Sequence, residues 1–159
     1  MANILWARIP RGSGNKHESR NSHDISISLH ADESGNIIRA HFSFRNSIQD
    51  QFANEDHILT GHVEYVMVGL SPDGRRLCFC DSPKFGKKLT TGGPKMRNSL
   101  NRYINFTPGR FVSNGYASAW NWICAHPGNY NVFHDEEGNA YITPFEEAEE
   151  KHILWAKRA

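Results

Sequence analysis

Residues Asp24 to Ala31 alternate strictly, with Ile25, Ile27 and Leu29 on one side of an extended chain and Ser26, Ser28 and His30 on the other. After the turn sequence DESGN, residues Ile38, Ala40, Phe42 and Phe44 alternate against Arg39, His41, Ser43 and Arg45. A period of two predicts half-buried strands. A one-residue slip would turn every side chain over, so the apolar sides set the register. Ile27 is then expected opposite Phe42, and Asp24 opposite Arg45. A second hairpin is predicted from His62–Leu70 and Arg75–Asp81 around Ser71-Pro-Asp-Gly74, a type I turn signal. Val66, Val68, Leu70, Leu77 and Phe79 line one of its sides, and Tyr65, Met67, Cys78 and Cys80 the other. A strand pair apolar on both sides belongs at the centre of a sheet. A third hairpin is predicted from Val132–His134 and Ala140–Ile142 around the turn DEEGN.

Other stretches carry different signals. Ile4–Ile9 reads as a short strand stopped by Pro10. Residues 10–23 hold no apolar side chain after the proline and are expected to form a flexible arm or loop. Ser47–Phe52 predicts one or two helical turns capped by Asn46. Ser82–Gly93 reads as a basic, glycine-bearing loop. Pro94 then sits where proline opens a helix, and Met96, Leu100, Tyr103 and Ile104 would mark its buried stripe. Thr107-Pro-Gly ends that element. A further helix is expected from about Gly115 to Ala125, capped by Asn114 and stopped by His126-Pro-Gly. Thr143-Pro-Phe-Glu146 has the form of a capping box and predicts a closing helix to about Lys157. Together these give a single α+β domain over residues 1–159. Its mainly antiparallel sheet is built from three hairpins, with two or three short helices packed on it and a C-terminal helix.

Composition adds bounds. A chain of 159 residues with 38% hydrophobic content can form one ordinary core without disulfide or metal staples. The first ten residues lack the long apolar run and small-residue cleavage site of a secretory signal. No apolar stretch approaches the ~20 residues that span a bilayer. Three cysteines cannot all pair, and Cys78 and Cys80 are poorly spaced to pair with each other, so reduced thiols in the cytoplasm are expected.

Charge changes the picture most. The net charge of +1 hides a segregation along the chain. Residues 82–134 contain no Asp or Glu, but carry seven Lys or Arg and nine aromatic side chains. Residues 135–159 hold seven acids against three bases. Cations interleaved with aromatic rings suit a polyanion with exposed bases. The candidate contact residues are Lys84, Lys87, Lys88, Lys95, Arg97 and Arg102 for phosphate, with Phe85, Tyr103 or Trp120 for stacking. Gly92 and Gly93 before the expected helix would add an anion-friendly backbone. Against this, Glu146 to Glu150 could neutralise the same cations within the fold, although surface pairs hold them by only ~0–1 kcal/mol each.

Catalytic chemistry is less well supplied. The predicted first hairpin puts His30 opposite Arg39 and His41 opposite Ser28. The two imidazoles would be diagonal neighbours, ~7–8 Å apart at Cβ. That pair with Arg39 outlines metal-independent RNA cleavage by general acid and base. A solvated sheet face that happens to contain histidine explains the spacing better. His57 and His62 straddle a loop-to-strand junction and do not converge as a metal pair. Cys78-x-Cys80 has too short a spacing for a zinc site, so no metal or cofactor is expected.

Three functions follow from these residues. The first is a small, soluble, non-enzymatic protein that binds a nucleic acid, or the nucleic-acid channel of a nucleoprotein, through its basic and aromatic surface. The second is an inhibitor or adaptor of mobile-element or anti-defence type that binds a host enzyme. The third is a metal-independent ribonuclease. No membrane partner is expected in any of them.

Overall fold

The computed structural model describes residues 3–4, 23–45, 48, 50–91, 101–145 and 157–158. A two-residue strand, β1 (Asn3–Ile4), comes first. The alternating segment forms β2 (Ile25–Ala31) and β3 (Ile37–Phe44), paired antiparallel with Ile27 opposite Phe42, Ser28 opposite His41 and His30 opposite Arg39. That is the register the apolar sides demand. The Arg45 N–H donates to the Asp24 carbonyl at 3.0 Å, closing the open end of the hairpin. At the turn the Asp32 carboxylate accepts the N–H groups of Ser34 and Asn36, and Gly35 takes a φ of +88° that favours glycine. Next come a short 3₁₀ turn, in which Gln51 N–H donates to the Ile48 carbonyl, and β4 (Ile58–Leu59).

Strands β5 (Tyr65–Leu70) and β6 (Leu77–Asp81) form the second hairpin, its turn closed by Gly74 N–H on the Ser71 carbonyl at 2.9 Å. The chain continues through β7 (Lys87–Lys88), β8 (Thr90–Thr91) and β9 (Arg102–Phe106) into helices α1 (Pro108–Val112) and α2 (Ala117–Ala125). Strands β10 (Gly128–Tyr130), β11 (Phe133–Asp135), β12 (Ala140–Ile142) and β13 (Lys157–Arg158) complete it.

These strands make two antiparallel sheets. One has six strands in the order β1-β11-β12-β6-β5-β7, and the other has five in the order β10-β2-β3-β9-β8. A small pair, β4 with β13, is parallel. The chain passes from one sheet to the other four times, and two of these passages take only one or two residues. Between β7 and β8 it crosses at buried Leu89, whose N–H donates to the Glu64 carbonyl. Between β10 and β11 it crosses at Val132, fully buried, whose N–H donates to the Asp24 carboxylate at 2.9 Å. A backbone group leaving a sheet inside the core must find another partner; Asp24, itself buried, is that partner here.

The sheets meet through phenylalanines. The Phe79 ring of the larger sheet lies 6.2 Å from Phe42, 6.0 Å from Phe44 and 5.2 Å from Phe52. Phe106 continues the cluster to Phe111 of α1, which touches Trp120 of α2. In α2 the side chains of Ala119, Trp120, Trp122 and Ile123 are buried.

The fold corrects several expectations. There are two sheets, not one. Tyr103 and Ile104 belong to a strand, because RYINF puts Ile104 and Phe106 inward and Tyr103 and Asn105 outward with a period of two. Met96 and Leu100, which completed the supposed helical stripe, lie outside the described residues, as do Pro94, Gly92 and Gly93. Thr107-Pro-Gly does end the preceding element, which is β9, and Pro108 also opens α1 at its first position, where the missing N–H costs nothing. The supposed basic loop contains β7 and β8, and Gly128, expected to stop the preceding helix, opens β10. No C-terminal helix occurs among the described residues: Pro144 and Phe145 are non-helical, and Lys157 and Arg158 pair with β4. Residues 146–156, residues 10–22 of the expected 10–23 arm and the Asn46 cap lie outside the described residues.

Candidate nucleic-acid interface

A tight turn builds the candidate surface. Ser82 is fully buried; its hydroxyl donates to Glu55 Oε2 at 2.9 Å and accepts the Phe85 N–H at 3.1 Å. The Ser82 carbonyl accepts the Gly86 N–H at 2.7 Å. Gly86 lies so close to β5 that a Cβ there would fall 2.6 Å from the Ser82 carbonyl oxygen and 2.7 Å from the Tyr65 carbonyl carbon. Glycine is required by close approach, not by its φ.

This anchoring presents Lys84 and Phe85 to solvent. The Phe85 ring is 57% exposed. Lys84 Nζ stands 5.2 Å from the centre of that ring, and Arg110 of α1 donates from Nη2 to the Phe85 carbonyl at 3.2 Å. Lys87 and Lys88 follow on β7, at the edge of the larger sheet, opposite Val66 and Tyr65. Lysine on an edge strand also discourages unwanted strand pairing. Among the described residues, no carboxylate forms an ion pair with Lys84, Lys87 or Lys88.

The other candidate residues are dispersed. Tyr103 lies on the outward side of β9, stacked on His41 with ring centres 5.2 Å apart and 26° between planes. His41 Nδ1 is also 2.8 Å from Asn105 Oδ1. Arg102 pairs with Phe44, which puts it on the side of the sheet opposite Tyr103. Trp120 is 6% exposed and packed on Phe111, so it offers no open face for a base. Lys95, Arg97 and Glu146 to Glu150 lie outside the described residues. The His41–Tyr103–Asn105 group was missed from sequence; the strict alternation in RYINF was the signal that would have found it.

His30 and Arg39 are exposed and directly opposite each other, with His41 on the same side, as the register predicts. They stand on an open sheet face. A cleft of about 250 Å³ lies elsewhere, lined by Asn54, Thr60, His62, Glu64, Tyr65, Asp81 and Pro83. Among the described residues no three His, Cys, Asp or Glu side chains are grouped to hold a metal ion. Burial pushes the Cys78 thiol up to about 12 and the Cys80 thiol up to about 11, so both stay protonated and neither serves as a ready nucleophile. Cys124, also free, is raised by burial as well.

In the cleft, burial raises the Asp81 carboxyl above its ordinary value of 3.8; the Thr60 hydroxyl opposes this and Glu64 adds to it. The folded state therefore holds the Asp81 proton more tightly than the unfolded chain. Its carboxylate lowers stability above the folded pKa, and the penalty fades as pH falls through that value. Asp81→Asn is expected to raise the denaturation midpoint relative to the parent at pH 7 and to lose this advantage near pH 4. An advantage that grows on acidification would contradict the assignment.

Comparison of the chain with protein-family models, curated proteins and solved structures gives no match in any of the three. No helix among the described residues is long and apolar enough to cross a membrane.

Proposed function

We propose that this chain is a small, non-enzymatic binding protein that engages nucleic acid through the cationic and aromatic edge formed by Lys84, Phe85, Lys87, Lys88 and Arg110. One observation carries this reading: a phenylalanine ring stands in solvent on a hydrogen-bonded turn, with a lysine over it and an arginine fastened to its backbone. Cations neutralise phosphate and release counterions, while an exposed ring gives a base something to stack on. The open setting of His30, Arg39 and His41, away from the cleft, favours binding over cleavage. Three free cysteines fit a reducing compartment, and the proposed setting is the cytoplasm.

The test is the combined Lys84→Ala, Lys87→Ala, Lys88→Ala variant in fluorescence anisotropy with labelled oligonucleotides. Affinity is expected to fall alike for unrelated sequences, and the slope of log affinity against log salt to flatten by about 2 to 3. Unchanged affinity and slope would remove the proposal. Capture of one stoichiometric protein with no retention of DNA or RNA would replace it with the inhibitor reading, for which exposed Val112 and Tyr116 offer apolar anchors.

A further inference from the structure

Resting on that reading, we infer that the outward side of the five-stranded sheet is a platform for single-stranded nucleic acid, on which the stacked His41 and Tyr103 rings receive a base. Three features of the face support it. First, the rings are already parallel to within 26° and sit 5.2 Å apart on neighbouring strands, so a base adding to the stack orders little else. Second, none of the residues that the register places on this side of β2, β3 and β9 is acidic. Ser28, Ser43 and Asn105 supply hydroxyl and amide groups around the rings, and Arg39 supplies a cation. The carboxylates Glu64 and Asp81 lie instead at the cleft. Third, the platform runs into the cationic edge. Thr90 of β8 pairs with Tyr103, and Lys88 stands two residues before it across the Leu89 crossing. A strand stacked on Tyr103 and directed over β8 would bring its phosphates to Lys87 and Lys88.

The charge and ring pattern suits an unpaired strand better than a duplex, which hides its base faces in its own stack. The probes are a labelled DNA strand of about 12 nucleotides, within the length a single small domain covers, and the duplex of the same sequence. The parent protein is expected to bind the strand more tightly than the duplex. Tyr103→Ala should lose roughly 5- to 150-fold in affinity for the strand, with the salt slope unchanged because no charge is removed. Tyr103→Phe, which keeps the ring, should retain affinity, and a cooperative urea transition of Tyr103→Ala with the protein folded under the assay conditions excludes a folding defect as the cause of its loss. The triple lysine variant should keep the preference for the strand while its salt slope flattens. Full strand affinity in Tyr103→Ala, alongside weakened binding by the lysine variant, would overturn the platform and leave the cationic edge standing. Tighter binding of the duplex by the parent protein would also overturn the platform. Binding of neither probe by the parent protein would overturn both.

Discussion

Phe79→Ala is expected to lower the stability of the chain by about 3–5 kcal/mol, the cost of emptying a large aromatic site in a packed core. Phe79 is 3% exposed, and its ring touches Phe42 and Phe44 of the facing sheet and stacks within 2° of parallel on Phe52. Truncation removes the ring from both sheets at once. Strands flanked by paired neighbours on both sides cannot collapse freely into the space, so little of the cavity is recovered. Domains of ordinary size have a total stability of about 5–15 kcal/mol, so the variant would approach the edge of folding. Urea denaturation measures the effect, with Phe145→Ala as the comparison. Phe145 is 38% exposed, and its loss should cost well under half as much. A change below about 1 kcal/mol at Phe79 would mean that the two sheets do not depend on this ring for their packing.

Gly86→Ala is expected to cost about 1–3 kcal/mol and to weaken nucleic-acid binding as well. The added Cβ would meet the Ser82 carbonyl oxygen at 2.6 Å, the Tyr65 carbonyl carbon at 2.7 Å and the Val66 nitrogen at 2.8 Å. All three are backbone atoms in hydrogen-bonded structure, so none can swing aside as a side-chain tip would. The turn must lift from β5, which strains the bond from Gly86 N–H to the Ser82 carbonyl and displaces Lys84 and Phe85. Gly69→Ala is the control, because nothing lies within 4 Å of the Cβ it would add and β5 tolerates alanine there. The pair separates the effect of close approach from that of glycine entropy. Equal melting temperatures and equal affinities for the two variants would refute the role given to the Ser82–Gly86 turn.

How far these features could be read from sequence depends on which forces shaped each element. The β2–β3 register was legible because one side of both strands is buried and any slip would expose Ile25, Ile27, Phe42 and Phe44 together. The β5–β6 hairpin was legible from its turn chemistry, and Ser71 and Asp73 do hold that turn, 2.6 Å apart. Strand β9 was not, because Met96, Leu100, Tyr103 and Ile104 happen to recur at helical spacing, while only five residues carry the competing period of two. The pairs Lys87–Lys88 and Thr90–Thr91 leave almost no side-chain pattern, since backbone pairing to β5 and β9 alone defines them. Pro108 illustrates an ambiguity of proline, which ends one element and begins the next with the same locked φ. Within the candidate site, charge patterning pointed to Lys84, Lys87 and Lys88. It could not separate Arg102 from Tyr103, which became distinct only once β9 gave them opposite sides of a sheet. Nor could it show that Trp120 is spent on the core.

The cationic edge around Phe85 carries the functional account, and a salt titration of the unmodified protein tests it most directly. Affinity for a labelled single strand would be measured at 50 mM and 200 mM salt, roughly the range over which phosphate contacts are most easily counted. The account predicts measurable binding at the lower concentration and a loss at the higher one that scales with about three or more phosphate contacts. Binding that is absent at 50 mM, or indifferent to the change, would contradict it.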